Sequence, residues 1–267
     1  ERYGEMTDLY DRPYQTDYRN SVWNCGILPV YRQQLYSVYG EYKSTAREFF
    51  ATVNLTHNRE WYNRIYEQRI ENGQVQRVSL PLSNHGSGYT VKSTLSKGFY
   101  DLGLKTSLMA LLNISKAEQI SGGQRLPYQY RLMRLEPKVI WTPNRHWETS
   151  YQTDIRYGGN KIGERTRLAP LWNVTQQVQL SYIFSPIEAS LSVDHYHNDV
   201  NEDQSVNAVF ADFSVLWKSR RLQITATATN LFDKRTYGYT RYASLESYTS
   251  WVRIRPREFL VAIRYQL

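Results

Sequence analysis

The final eleven residues of the chain constrain its fold more than any other stretch. They read Arg257-Glu258-Phe259-Leu260-Val261-Ala262-Ile263-Arg264-Tyr265-Gln266-Leu267. Phe259, Val261, Ile263, Tyr265 and Leu267 alternate strictly up to the last position. A strand has a period of two, so these five side chains stand on one face. Soluble domains usually fray into polar tails at their termini. A transmembrane β-barrel must instead close on its last strand and leave no unpaired edge in lipid. The ending therefore predicts a barrel-closing strand.

Composition fits this reading without requiring it. Hydrophobic residues make up 41% of the 267 residues and the mean hydropathy is −0.62. No run approaches the roughly 18 apolar residues of a membrane helix. That excludes helical membrane proteins only, because barrel strands hide their apolar residues in alternation. Tyr (23), Trp (7) and Phe (8) together reach 14%, as expected where side chains meet apolar and wet surroundings at once. The single Cys25 allows no internal disulfide. The net charge is +8, but Lys and Arg are spread along the chain and no nucleic-acid-binding motif occurs, so no nucleic-acid partner is expected. Anionic lipid headgroups are the simpler counterpart for these cations. The start Glu1-Arg2-Tyr3-Gly4-Glu5 lacks the basic and apolar segments of a signal peptide, so a processed chain or a piece of a longer one is expected.

The same alternation recurs upstream. Trp147, Thr149, Tyr151, Thr153, Ile155 and Tyr157 lie on one parity, and His146, Glu148, Ser150, Gln152, Asp154 and Arg156 on the other. Similar patterns divide the chain into about eleven strands, each near or above the ~9–11 residues that cross a bilayer: 30–42, 47–66, 87–97, 101–116, 126–142, 146–158, 168–184, 188–198, 206–218, 222–240 and 249–267. Short turns are expected at 43–47, 97–101, 142–145, 185–188 and 218–221, and long polar loops at 67–86, 116–125, 158–167, 198–205 and 242–248. Outer-membrane barrels sort their connections this way, short on the periplasmic side and long outside. Trp141, Trp147, Phe184 and Trp217 lie beside short turns and form an expected periplasmic girdle. The domain reading is an external loop segment over 1–29 and barrel strands over 30–267. An odd strand count, with the last strand ending on the short-turn side, predicts the C-terminal part of a larger barrel.

One stretch carries a family resemblance. Asn230-Leu231-Phe232-Asp233-Lys234-Arg235-Thr236-Tyr237, an aromatic-rich stretch and Arg255-Pro256-Arg257-Glu258-Phe259 resemble the end of a TonB-dependent outer-membrane receptor. In that family an Asn-Leu-Phe-Asp/Asn motif sits on the penultimate strand, and an alternating strand closes the barrel and is read by the assembly machinery. The resemblance is specific over this C-terminal stretch and rests on strand and loop pattern upstream. It implies a 22-stranded barrel around a plug, of which eleven strands would be the C-terminal half. The implied partners are the remaining strands and plug, TonB through an N-terminal part absent from this chain, the barrel-assembly machinery, and outer-membrane lipid with lipopolysaccharide. The chain departs from the family by ending in Leu267 where Phe is usual.

The sharper chemical candidates are weak. His195 and His197 share a strand face near Asp199, Glu202 and Asp203, while Asp194 points to the opposite face. Two imidazoles without a third defined ligand do not make a zinc site, and no Gly-x-Ser-x-Gly or paired nucleophile and base occurs. Gly122-Gly123 and Gly158-Gly159 read as turns rather than phosphate cradles. Arg253, Arg255 and Arg257 share the parity of the closing strand's apolar face, and Pro256 is expected to mark a bulge that resets the phase. The expectation is a ligand-importing receptor portion in a bacterial outer membrane, with no catalytic residue, metal or cofactor. The alternatives are a complete small barrel acting as porin or outer-membrane hydrolase, and a soluble carbohydrate-binding β-sandwich.

Overall fold

The structure is a computed structural model that describes residues 2–18, 20–71, 74–163, 166–167, 170–201, 203–243 and 246–266. Leu267 of the closing strand and Glu202 beside the histidine pair lie outside the described residues. The described chain is all-β, with three 3-10 turns and no α-helix.

Eleven long strands carry the fold: β1 Val30–Ser44, β2 Phe49–Tyr62, β3 Asn84–Phe99, β4 Leu104–Ser121, β5 Gln124–Asn144, β6 Trp147–Ile162, β7 Leu171–Phe184, β8 Ile187–Asp199, β9 Ser205–Lys218, β10 Leu222–Thr229 and β11 Glu258–Tyr265. Each pairs antiparallel with the next in a continuous meander. With short extra ladders they form one 17-stranded sheet. The first nine strands overlap the spans that alternation predicts, but the last two are shorter than expected. β10 stops at Thr229 instead of running to 240 and β11 begins at Glu258 instead of 249, because the residues between them pair with each other as a separate hairpin, Thr236–Ala243 with Glu246–Arg253. The antiparallel sheet is consistent with a β-barrel.

All five expected short turns lie at one end of the sheet, and local chemistry makes them tight. The 3-10 turns Thr45–Arg47 and Tyr100–Leu102 end in left-handed Glu48 (φ 48°) and Gly103 (φ 58°). A Cβ at Gly103 would stand 2.1 Å from the Thr142 carbonyl oxygen, so glycine is required there for space as well as for φ. In the β5–β6 turn the Asn144 side chain accepts the N–H groups of His146 and Trp147 at 2.9 and 3.2 Å.

The opposite end differs from expectation. The stretch expected as an open loop over 67–86 contains a hairpin, Ile65–Glu71 with Gln74–Leu80. The stretch 116–125 is a continuation of β4 and β5, closed by Gly122 and Gly123 with φ of 57° and 75°, the signature of a two-residue turn with both φ positive. Strand β6 likewise runs to Ile162. These ladders are mostly polar and bury only isolated apolar side chains, Ile65, Val78 and Ile120, so they carry no regular hydropathy period; their backbone groups still need partners and find them in each other. The described part of segment 1–29 sits at this end. Arg2–Tyr3 pairs with Tyr31 and Val30, and Asn20–Trp23 pairs in parallel with Val75–Val78.

The two faces of the meander differ sharply. One in-register row runs Phe259, Ala228, Phe213, Leu191, Leu180, Thr149, Trp141, Leu104, Phe99 across nine strands, β11 to β3. On the opposite face a row runs Asp212, Ser192, Gln179, Ser150, Ile140, Lys105, Gly98. The polar face is the concave one. A cavity of about 460 Å³ opens on it, lined by Arg134, Asp154, Arg156, Asn173 and Asn198 among others.

Strands β1 and β11 do not pair with each other, so the sheet is not closed. Every residue of β11 is exposed. The buried hydrophobic side chains among the described residues are only Ile65, Val78, Ile120, Leu171, Ala208 and Ala211. The accessible surface is 18321 Å² for 31.5 kDa, whereas a compact monomer of that mass exposes roughly 12,000 Å².

Candidate functional site

The inner face is built from polar side chains that bond across strands. Ser37 Oγ donates to Asn54 Oδ1 at 2.8 Å, Asn113 Nδ2 donates to Thr90 Oγ1 at 2.8 Å, and Ser190 and Ser214 are 2.9 Å apart. Toward the long-connection end Glu60 acts as a hub. Its carboxylate accepts from Asn58 Nδ2 at 2.8 Å, Tyr62 Oη at 2.9 Å, Tyr31 Oη at 3.2 Å and Gln33 Nε2 at 3.3 Å. These residues share a face because Gln33 and Tyr31 register opposite Glu60 and Tyr62.

Above the hub lies a cavity of about 750 Å³, bounded by β2–β5, the Ile65–Leu80 hairpin and the Asn20–Trp23 strand. Arg77 stacks over the Tyr66 ring at 3.7 Å and Arg64 approaches it at 5.0 Å. Burial holds the Tyr66 hydroxyl above its ordinary value despite the two guanidiniums, so it remains a donor at neutral pH. Arg64 also pairs with Asp8 at 2.8 Å. A mouth of mixed aromatic, cationic and carboxylate groups of this size suits a polar, drug-sized ligand.

Deeper on the inner face Asp154 receives two arginines. Arg134 donates through Nε and Nη2 at 3.0 and 2.9 Å, and Arg156 through Nη2 at 2.6 Å. Arg134 also pairs with Glu136. The cluster is balanced in charge, and its fork-shaped pairs fix the wall rather than leave a free cation.

The family-like motif forms a junction. Asn230 is buried at φ 50°, a conformation that Asn tolerates better than most residues. Its Nδ2 donates to the carbonyls of Lys234 and Arg255, both at 2.8 Å, and its Oδ1 accepts Lys234 N–H at 2.9 Å. The Leu231 N–H donates to the Ala211 carbonyl at 2.8 Å. Asp233, also at φ 50°, accepts Arg257 N–H at 2.9 Å and pairs with Arg235 at 2.8 Å. Phe232 is exposed. The ladder accordingly breaks between Arg253 and Glu258, as Pro256 suggests. Beyond the junction, Thr236–Ala243 and Glu246–Arg253 make a hairpin whose first strand folds onto the inner face against β6, β8 and β9. There Asn198 Nδ2 donates to Tyr237 Oη at 2.8 Å, and the Tyr196 and Tyr237 rings meet edge-on at 5.3 Å. A Cβ on Gly238 would lie 2.7 Å from the Trp251 indole.

The outer face holds the other expected residues. Phe259, Val261, Ile263 and Tyr265 of β11 are 58–74% exposed. Trp141, Trp147, Phe184 and Trp217 gather beside the short turns and are exposed, with Trp147 4.6 Å from Tyr182. A second aromatic band, which the sequence reading missed, lies at the other end: Tyr36, His57 and Tyr89 in register, and Tyr157 4.8 Å from Trp172. Between the bands, from Phe99 to Tyr89 along β3, ten residues at about 3.3 Å each and a tilt near 40° span ~25 Å.

His195 and His197 face outward and bond to neighbouring amides, Gln176 at 3.4 Å and Asn207 at 2.9 Å. His197 also lies 3.4 Å from Asp199. The Glu60 hub was only half legible: Asn58, Glu60 and Tyr62 share one parity and Tyr31 and Gln33 share another, and only the β1–β2 register puts the two sets on one face. No protein-family model matches the chain, and no curated protein is significantly similar to it.

Proposed function

We propose that this chain is the C-terminal barrel portion of a TonB-dependent outer-membrane receptor that imports a ligand across a bacterial outer membrane. In this reading the outer face is solvated by lipid, and the inner face lines a lumen around a plug. The long-connection end, with its cavity beside Glu60, Arg64 and Tyr66, contributes to ligand capture. Coupling to TonB belongs to a part outside this chain, and no residue here has a catalytic role.

The observation that carries the reading is the pairing of an uncovered apolar belt, bounded by two aromatic bands, with a polar concave face on the same sheet. Outer-membrane barrels distribute polarity in this way. The two long edge strands support the partial-barrel aspect. An unpaired edge in lipid leaves each backbone N–H and C=O without a partner, at several kcal/mol per group, so β1 and β11 require further strands. The Asn230–Asp233 junction supports the family aspect through the motif it contains.

The test is extraction from outer membranes in mild detergent, followed by intact mass and N-terminal sequencing of everything that co-purifies. The expected result is a plug and further strands, in the same polypeptide or in a companion. A folded, heat-modifiable barrel made of this chain alone would overturn the reading in favour of a small porin or outer-membrane hydrolase.

A further inference from the structure

The inner face carries a second enclosed space, away from the Glu60 hub. One in-register row runs Leu111, Arg134, Arg156, Asn173 and Asn198 across β4 to β8. Strands lie about 4.8 Å apart, so the part from Arg134 to Asn198 is a strip of hydrogen-bonding side chains roughly 15 Å wide. The next row toward the long-connection end is apolar, with Leu132, Gly158 and Leu171 side by side. The hairpin Thr236–Ala243 with Glu246–Arg253 roofs this floor. Asn198, 3% exposed, holds the roof by donating to Tyr237 Oη at 2.8 Å and to the Gly238 carbonyl at 3.3 Å. Between floor and roof lies the cavity of about 460 Å³, which Tyr130 borders from the wall and Tyr237, Tyr239 and Thr240 from the hairpin.

Gly158 sets this space apart from a packing gap. A glycine inside a strand weakens it and is typical of places where another backbone or a ligand comes close. A Cβ on Gly158 would meet no atom within 4 Å, so the packing of the hairpin does not require this glycine. What it leaves is bare backbone under an open cavity.

The charges of the lining restrict the guest. Its three charged residues among the described ones belong to one cluster: Asp154 accepts from Arg134 and Arg156, and Arg134 also pairs with Glu136 just outside. Two cations face two carboxylates, so neither an anion nor a cation finds an uncompensated partner. The floor is not apolar either. Both guanidiniums use Nε and Nη2 on carboxylates, which leaves each Nη1 without a partner among the described residues. The Asn173 amide is likewise unpaired among them. An apolar guest would strip these donors of water and return nothing. A neutral guest dense in hydroxyls, with apolar ring faces to lie on Tyr130 and Tyr239, meets both requirements.

The geometry points to a binding site for a neutral di- or trisaccharide inside the lumen, between the β4–β8 wall and the C-terminal hairpin. This inference deepens the receptor reading by naming a substrate class, and it rests on that reading in taking the concave face as a lumen. The cavity falls within the size range of small-ligand pockets. Ring hydroxyls would accept from the two Nη1 groups and exchange hydrogen bonds with Asn173.

The protein, purified in mild detergent with any strands that accompany it, is titrated calorimetrically with cellobiose, maltotriose, xylobiose and mannobiose. A glucuronic-acid disaccharide and the cationic disaccharide of glucosamine serve as charged counterparts. At least one neutral sugar is expected to bind saturably, and the charged ones about tenfold or more weaker. Gly158→Phe fills the cavity and should abolish binding, whereas Gly159→Phe, one residue on and facing outward, should leave it unchanged. Asn173→Ala and Tyr239→Ala should each weaken it roughly three- to tenfold. Wild-type affinity in Gly158→Phe, or in both Asn173→Ala and Tyr239→Ala, overturns the site. So does the absence of saturable binding of all four neutral sugars by a wild type that shows a heat-modifiable band. A chain that stays monodisperse in water without detergent overturns the outer-membrane reading instead, whatever the titration gives.

Discussion

At the scale of single residues, Asn230 does the most with the least. Its left-handed backbone turns the chain out of the β10 ladder, and its amide holds three backbone groups on both sides of the break. Alanine removes all three bonds and the local preference for positive φ. Each buried bond contributes about 1 kcal/mol net and the conformation about 1 more. Asn230→Ala should therefore destabilise the folded protein by about 2–4 kcal/mol, read as a lower denaturant midpoint in detergent. Asn230→Asp keeps the acceptor but loses both donated bonds, so it should fall between the two. A wild-type midpoint for the alanine variant would remove the junction's structural role. The sequence marks these residues as a motif but not as a clasp. That role depends on Arg255, 25 residues beyond Asn230, and Arg257, 24 residues beyond Asp233, which approach only after the hairpin has formed.

At the scale of elements, legibility followed chemistry. Strands β1 to β9 were readable because one face is apolar and the other polar with period two, whereas β10 and β11 were read too long, through the Asn230 junction and past Pro256. The Ile65–Leu80 hairpin and the ends of β4, β5 and β6 were not readable, because Gln, Arg, Lys and Ser occupy either parity there and the few buried apolar residues, Ile65, Val78 and Ile120, set no period. The parallel pairing of Asn20–Trp23 with Val75–Val78 had no local signal at all. The same end of the molecule offers a pH-dependent contact. Asp8 is partly buried, which raises its pKa, but the Arg64 guanidinium and the Glu5 N–H outweigh this and hold it below the ordinary carboxylate value. A carboxylate with a depressed folded pKa stabilises above its unfolded pKa and loses that contribution as pH falls through the folded value. Acidification below about pH 4 should thus loosen the Met6–Leu9 turn from β2 and its hairpin. Hydrogen exchange over residues 2–18 at pH 6 and pH 3 reads this directly. Asp8→Asn should exchange faster already at pH 6 and show a smaller acid step; an unchanged acid step would assign it to other carboxylates.

At the scale of the whole molecule, the surplus of accessible surface asks for a covering, and its distribution says which kind. A water-soluble sheet hides its apolar face against a second layer. Here the only other sheet among the described residues is the two-stranded hairpin on the polar side. Leu108 stands midway up the outer belt, in register with Leu95 and Pro137, and Ser107 beside it faces inward, in register with Ser96 and Lys138. If lipid covers the belt, arginine at 108 lies near the bilayer midplane and costs about 2–4 kcal/mol, whereas arginine at 107 meets the lumen and costs far less. Dilution of the urea-unfolded protein, with any companion strands, into lipid vesicles should give a clearly lower folded fraction for Leu108→Arg than for Ser107→Arg, scored by the heat-modifiable band. In a water-exposed sheet the order would vanish or reverse, since Leu108→Arg would merely replace an exposed apolar group by a solvated one. One residue of register thus separates a wall built for lipid from a surface built for water, and the pair of variants measures which medium the belt was built to meet.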